Sequence, residues 1–153
     1  MASQIKSKKR VKEFAEVFTA EREVKAMCDL IPKEMYEDIT KTFLEPCVGE
    51  GVFLIEILKR KFKHCKDDRD GLKALSSVVG IDIQLDNVEI TRKNLEALFL
   101  DKFPTADSFV RAMAEKIIKN NIIHGDSLKI MQEWIDENNP IQPQQLSLFS
   151  RKD

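Results

Sequence analysis

Three short apolar runs, each closed by an acidic side chain, constrain this chain more than any other feature. Lys41-Thr42-Phe43-Leu44-Glu45-Pro46 reads as a short buried strand running into a turn. Val78-Val79-Gly80-Ile81-Asp82-Ile83 is a second, with β-branched residues around one glycine, and Asn121-Ile122-Ile123-His124-Gly125-Asp126 is a third. Stretches of helical spacing separate them. Strands alternating with helices fold as a parallel sheet with helical crossovers, so the expectation is an α/β fold with about three parallel strands and an N-terminal helix. Glu45, Asp82 and Asp126 then fall at the carboxyl ends of the strands, the edge along which open α/β sheets bind their ligands.

The helices are signalled by caps, stripes and stops. Thr19 can cap a first helix whose stripe is Val24, Met27, Cys28 and Ile31, and Pro32 stops it. A second carries Val52, Phe53, Ile55, Ile57 and Leu58 and runs into Lys59-Arg60-Lys61-Phe62-Lys63, a basic end suited to the negative pole of its dipole. Asp67 to Gly71 reads as a charged loop. Further helices are expected over residues 86–100 and 106–119, with a last one from Leu128 to Ile135. Residues 1–13 form a basic arm, residues 14–137 one folded unit, and residues 138–153, with two prolines and three glutamines, an extended tail.

Composition excludes several classes. With 25 Lys and Arg against 26 Asp and Glu, bulk electrostatics cannot drive nucleic-acid binding, so DNA contact must come from local patches. The basic arm and the run from Lys59 to Lys66 are candidates for phosphate contact, but solvated charge is the simpler reading of both. No apolar run is long enough to span a bilayer, and no membrane partner is expected. Cys28, Cys47 and Cys65 are too few for a disulfide framework, and with His64 and His124 they show no zinc spacing. The expectation is free thiols, no metal and a cytoplasmic setting.

The segment Glu45-Pro46-Cys47-Val48-Gly49-Glu50-Gly51, between a strand and a helix, has the make-up of a ligand-binding loop. Gly49 and Gly51 let the backbone approach a ligand, and the helix start offers unpaired amides. Asp82 ends the next strand, where a carboxylate can accept from two ribose hydroxyls. The distance from Gly51 to Asp82 exceeds the ~20 residues of a dinucleotide fingerprint, and the third glycine is missing. A ligand with a ribose but no phosphate fits better. Asp82 or Asp126 taken singly reads as a helix cap, and Cys47 as a small packing residue.

At these residues the chain resembles the S-adenosylmethionine-dependent DNA methyltransferases, above all the adenine-N6 class, over residues 14–135. Phe43 to Leu54 is similar to the family's first cofactor motif, Asp/Glu-Pro-x-x-Gly-x-Gly before an apolar helix. Phe18-Thr19 is similar to the Phe-Thr element that touches the methionine end, Gly80-Ile81-Asp82-Ile83 to the strand whose acid holds the ribose, and Gly125-Asp126 to the Gly-Asp that meets the adenine amine. The resemblance implies S-adenosylmethionine as cofactor and a Rossmann-like sheet. It also implies a role for each matching residue. Phe18 and Thr19 would touch the methionine end, and Glu45, with Pro46 and Cys47, would set the loop and favour the cationic end. Gly49 and Gly51 would give room, Asp82 would bind ribose, Ile83 would pack on the adenine ring, and Asp126 would accept from adenine N6.

The chain departs from that family in one large respect. It has no Asp/Asn-Pro-Pro-Tyr/Phe tetrapeptide, whose acceptors and aromatic ring hold a flipped base, and Asn139-Pro140-Ile141 is the nearest match. The expectation is a cofactor-binding half with no catalytic residues of its own, inactive alone or dependent on a catalytic partner chain. The first strand, central in the family, would then stand at an edge near Phe43 and Leu44. A second copy of the chain, a partner chain or the tail is expected to cover it. Within the tail, Gln145-Leu146-Ser147-Leu148-Phe149 closely resembles the pentapeptide by which bacterial replication and repair proteins dock on the DNA sliding clamp. Folding back onto the chain's own sheet is an equal alternative for it. Two other functional classes therefore stand beside the enzyme half: a non-catalytic clamp-binding regulator and a self-associating cofactor sensor.

Overall fold

Val78–Asp82 is buried along almost its whole length, as a strand must be when it has neighbours on both sides and helices over its faces. The computed structural model describes Ser7 and residues 20–138. In chain order the elements are α1 (Glu21–Asp29), α2 (Glu34–Glu37), β1 (Phe43–Glu45), α3 (Val52–Phe62), α4 (Asp68–Ser76), β2 (Val78–Asp82), α5 (Leu85–Lys102), α6 (Ser108–Asn121), β3 (Ile122–His124) and α7 (Ser127–Asn138). The sheet order is β1-β2-β3. Both pairings are parallel: Glu45 lies opposite Gly80, and Asp82 lies opposite His124. The fold is therefore the expected α/β arrangement, a partial Rossmann-like sheet, with the carboxyl ends of the three strands along one edge.

Each helix exists because one face finds the core. α3 buries Leu54, Ile57, Leu58 and Phe62, and Phe62 meets Phe99 and Phe103 with centroids 6.3 and 5.4 Å away. α6 is capped by Asp107, whose carboxylate accepts from the Val110 amide at 2.8 Å, and buries Val110, Ala114 and Ile118. Arg60 joins α1 and α2 to α3. It pairs with Asp29 at 2.8 Å and Glu56 at 3.0 Å, and its guanidinium sits 5.3 Å from the centre of the Tyr36 ring. α7 is the exception among the described helices, since none of its residues is buried. No described helix is long and apolar enough to cross a membrane.

Several local expectations need correction. Asp67 to Gly71 is not a loop: Asp67 caps α4 by accepting from the Asp70 amide at 2.8 Å, and Ala74 and Leu75 anchor the helix from beyond Gly71. Its first turn reads as a loop because its charges face water, while the apolar residues that define the helix come later. The short turn α2 is held tertiarily, by a hydrogen bond from the Tyr36 hydroxyl to the Cys28 carbonyl at 2.7 Å. At the start of α1 the cap position is Ala20, which makes no side-chain cap bond. Asn138 ends α7 rather than opening a tail, its amide donating to the Trp134 carbonyl at 2.8 Å. Phe18, Thr19 and the pentapeptide Gln145, Leu146, Ser147, Leu148 and Phe149 lie outside the described residues.

The basic end of α3 is not simply solvated either. Lys61 is fully buried. Its ammonium donates to the carbonyls of Ile39, at 3.2 Å, and of Lys41, and to the Ser77 hydroxyl at 2.6 Å; it also lies 4.9 Å from the centre of the Phe43 ring. These groups stand just before or at the starts of β1 and β2, so one side chain closes the amino ends of both strands. Burial pushes its pKa down from 10.5 to about 8.

Replacing Lys61 with Met leaves these acceptors without their donor, and a loss of about 2–3 kcal/mol is expected in urea unfolding. Between pH 8 and 10.5 the unfolded chain holds a proton that the folded chain has released, so this lysine adds stability as the pH rises. The gap between wild type and Lys61→Met should therefore widen across that window. A constant gap would show that the ammonium stays charged in its cage.

Candidate functional site

The turn after β1 is built by its residue types. Pro46 has no amide to extend the ladder, and Gly49 and Gly51 adopt φ of +57° and +87°, which side-chain-bearing residues avoid. Val48, just before Gly49, is buried, and its amide donates to the Ile81 carbonyl at 2.9 Å. The Gly51 amide then donates to the Val48 carbonyl at 2.9 Å, and the Gly51 carbonyl accepts from Ile55 at 2.8 Å, starting α3. A side chain at Gly51 would meet the Thr91 methyl at 2.9 Å, whereas at Gly49 it would meet nothing within 4 Å. The two glycines thus do different things. Gly51 permits packing against α5, and Gly49 presents bare backbone to open space.

Asp82 is the centre of this arrangement. Its Oδ2 accepts from the Gly49 amide at 2.9 Å, and its Oδ1 accepts from the Gln84 amide at 2.8 Å and from Asn87 Nδ2 at 3.3 Å. Its main-chain carbonyl accepts from the Gly125 amide at 3.0 Å. One residue at the end of the central strand therefore ties the β1 turn, the start of α5 and the β3–α7 turn together. Sequence reasoning expected a side chain free for a ligand diol; the structure shows one that first holds the loop. Ile83, next along, is 54% exposed at this edge, and its carbonyl lies 3.0 Å from His124 Nε2.

The other acids differ in kind. Glu45 is half-buried, and desolvation raises its pKa, with the Cys47 amide donating to it at 3.3 Å as a partial offset. No ion pair neutralises it among the described residues. Asp126 is exposed, and its Oδ1 accepts from the Leu128 amide at 3.0 Å, so it acts as a cap for α7. Cys47 is exposed rather than packed, and partial burial together with the carboxylates of Glu45 and Asp82 raises its thiol pKa, which disfavours a nucleophilic role.

The structure thus gathers Glu45, Pro46, Cys47, Gly49, Gly51, Asp82, Ile83 and Asp126 on the turns at one edge of the sheet. A separate groove of about 260 Å³ lies between α1 and α3, lined by Glu21, Val24, Val52, Ile55, Glu56 and Lys59; it starts beside the loop, where Val52 follows Gly51, but none of the convergent acids lines it. Sequence reasoning missed a polar stripe on α5. Thr91 Oγ1 donates to the Gly49 carbonyl at 2.8 Å, and Asn94 Nδ2 donates to the Glu50 carbonyl at 3.0 Å. The signal was present, since Asn87, Thr91 and Asn94 interrupt the apolar side of α5 at spacings of one and two turns.

Alanine at Gly51 must displace Thr91 and occupy a left-handed conformation. Gly51→Ala is therefore expected to cost more stability than Gly49→Ala, which carries only the conformational penalty of about 1 kcal/mol. Thermal unfolding of the two variants checks this; equal losses would mean that the loop does not seat on Thr91.

Comparison with characterised proteins gives a partial likeness. The chain is 37% identical over 83 residues, 54% of its length, to the type II methyltransferase M.VspI of Vibrio sp. (strain 343). The matched segment spans 17% of that relative. No protein-family model matches the chain, and no solved structure matches it.

Proposed function

We propose that this chain is the cofactor-binding half of an S-adenosylmethionine-dependent DNA methyltransferase of the adenine-N6 class. The observation that carries the proposal is the open backbone of Gly49, held by Asp82 at the carboxyl end of the sheet, the same edge that carries Glu45, whose pKa burial raises, and the exposed Ile83. S-adenosylmethionine fits that arrangement chemically. It brings positive charge for Glu45, whose half-buried carboxyl has no cation beside it among the described residues. It also brings a ribose for the Asp82 turn and a flat ring for Ile83, and it has no phosphate that would need a third glycine. Asp126 accepts from the adenine amine through the acceptor capacity that its single Oδ1 cap bond from the Leu128 amide leaves unused. The order of the four sequence matches, from Phe18-Thr19 to Gly125-Asp126, supports the adenine-N6 class.

These residues hold no catalytic tetrapeptide, and the proposal assigns the base-holding residues to a catalytic partner chain, without which these residues transfer no methyl group. In this reading it is the bound cofactor that supplies the methyl group, and this chain's residues bind and orient it. The β1 edge, where Leu44 is 44% exposed, is covered by that catalytic partner or by a second copy.

Calorimetric titration with S-adenosylmethionine and S-adenosylhomocysteine tests the reading. Saturable binding of both is expected, reduced about tenfold in Glu45→Gln because the two ligands share an ammonium. No binding by the wild-type chain would overturn the proposal, and methyl transfer to DNA by the chain alone would overturn its dependence on a partner.

A second reading rests on a separate observation, the sequence Gln145-Leu146-Ser147-Leu148-Phe149. We propose it as a sliding-clamp ligand, with Leu146, Leu148 and Phe149 entering apolar pockets while Gln145 hydrogen-bonds. Replacing Leu148 and Phe149 with Ala should abolish retention on immobilised clamp; undiminished retention would remove the clamp from the account.

A further inference from the structure

We infer that α5 acts as a positioning helix for the ligand loop, with Thr91 and Asn94 as the residues that set which face of the Gly49–Gly51 backbone the ligand meets. The inference rests on the cofactor-binding reading above but concerns residues that the reading does not use. Thr91 is fully buried, and its hydroxyl donates to the Gly49 carbonyl at 2.8 Å. Three residues further along the same helix, Asn94 donates to the Glu50 carbonyl at 3.0 Å. Two consecutive carbonyls of the loop are thereby turned onto α5. The peptide groups are planar and no cis bond occurs among the described residues, so fixing these carbonyls fixes the orientation of both peptide planes.

The consequence lies on the opposite side. With the carbonyls of Gly49 and Glu50 drawn to the helix, the face of Gly49 that would carry a side chain looks into open space. Carbonyl oxygens turned outward there would place negative potential against Glu45 and Asp82, beside a ribose whose hydroxyls must donate. Turned inward, they leave the carboxylates as the acceptors. Thr91 also closes the inner side sterically, since its methyl group lies 2.9 Å from where a side chain on Gly51 would begin. Asn87, one turn before Thr91, completes the stripe from the same helix by donating to Asp82 Oδ1 at 3.3 Å. α5 therefore positions both halves of the site, the loop through Thr91 and Asn94 and the acid through Asn87.

Thr91→Val keeps the shape and removes the hydroxyl, Thr91→Ser keeps the hydroxyl, and the half-buried Asn94→Ala is a second probe should the valine variant fail to fold. Two measurements on the full chain are paired. The first is hydrogen exchange at the amides of Gly49 and Gly51 without ligand, and the second is calorimetric affinity for S-adenosylmethionine. Thr91→Val and Asn94→Ala are expected to speed loop exchange and to weaken affinity about tenfold, the scale of one hydrogen bond, with Thr91→Ser returning both towards wild type. Unchanged loop exchange in both variants would overturn the positioning role. Faster exchange with unchanged affinity would show that the loop's orientation does not matter to the ligand and would equally overturn it. Faster exchange in the variants of a chain whose wild type binds no cofactor would uphold the positioning of the loop while overturning the cofactor reading on which its purpose rests.

Discussion

The carboxylate of Asp82 is the constraint on which the rest of the site depends. An acid at the end of a buried strand is costly unless its oxygens are satisfied, and here they are satisfied by the backbone of the neighbouring turn, by the start of the following helix and by Asn87. Bonds from neutral donors to an ionised acceptor are among the stronger ones available to a protein. The result is that β1, which pairs with β2 over only three residues, does not rely on its ladder alone to place the loop. The loop is held from the central strand by a side chain and a carbonyl, and from α5 by two more side chains.

A second charge plays the matching part at the other end of the sheet. Lys61 closes the amino ends of β1 and β2 much as Asp82 closes the carboxyl ends, and α3 runs between them, from the glycine loop to the buried ammonium. With 11 residues at about 1.5 Å per residue, the helix is long enough to cross the sheet's short strands. Both of its ends are thus tied by polar groups, while Leu54, Ile57 and Leu58 bury its apolar face. A displacement of α3 would strain the loop and the lysine cage together. This couples the stability of the amino edge to the geometry of the carboxyl edge, although no catalytic proposal touches Lys61.

Two surfaces are less completed than this core. Among the described residues β1 has a partner on one side only, and α7 buries none of its residues, with Leu128 78% exposed and Ile135 also open. A helix with an apolar stripe and no core of its own derives little stability from the contacts seen here. Its first turn is secured by Asp126, so the residue proposed to meet the adenine amine also decides where α7 begins. In the proposed reading, ligand binding and the seating of α7 therefore share one side chain.

The sequence alone determined the three strands, the parallel α/β arrangement and the acids at the strand ends. Those follow from local pattern: β-branched runs, glycines at a turn and a carboxylate after each run are visible without any tertiary contact. It misread the residues whose character is set by distant neighbours. Lys61 looks like one more solvated cation in a basic run until Ile39, Lys41 and Ser77 surround it, and the first turn of α4 looks like a loop because its apolar anchors follow it. Thr91 and Asn94 read as breaks in an apolar stripe, and only the fold shows that the loop more than forty residues earlier in the chain needs their donors. Tertiary structure likewise decided the use of Asp82. A carboxylate's position along the chain says that an anion stands at the strand end, but which donors reach it is a question of packing, and here the protein's own backbone arrives first.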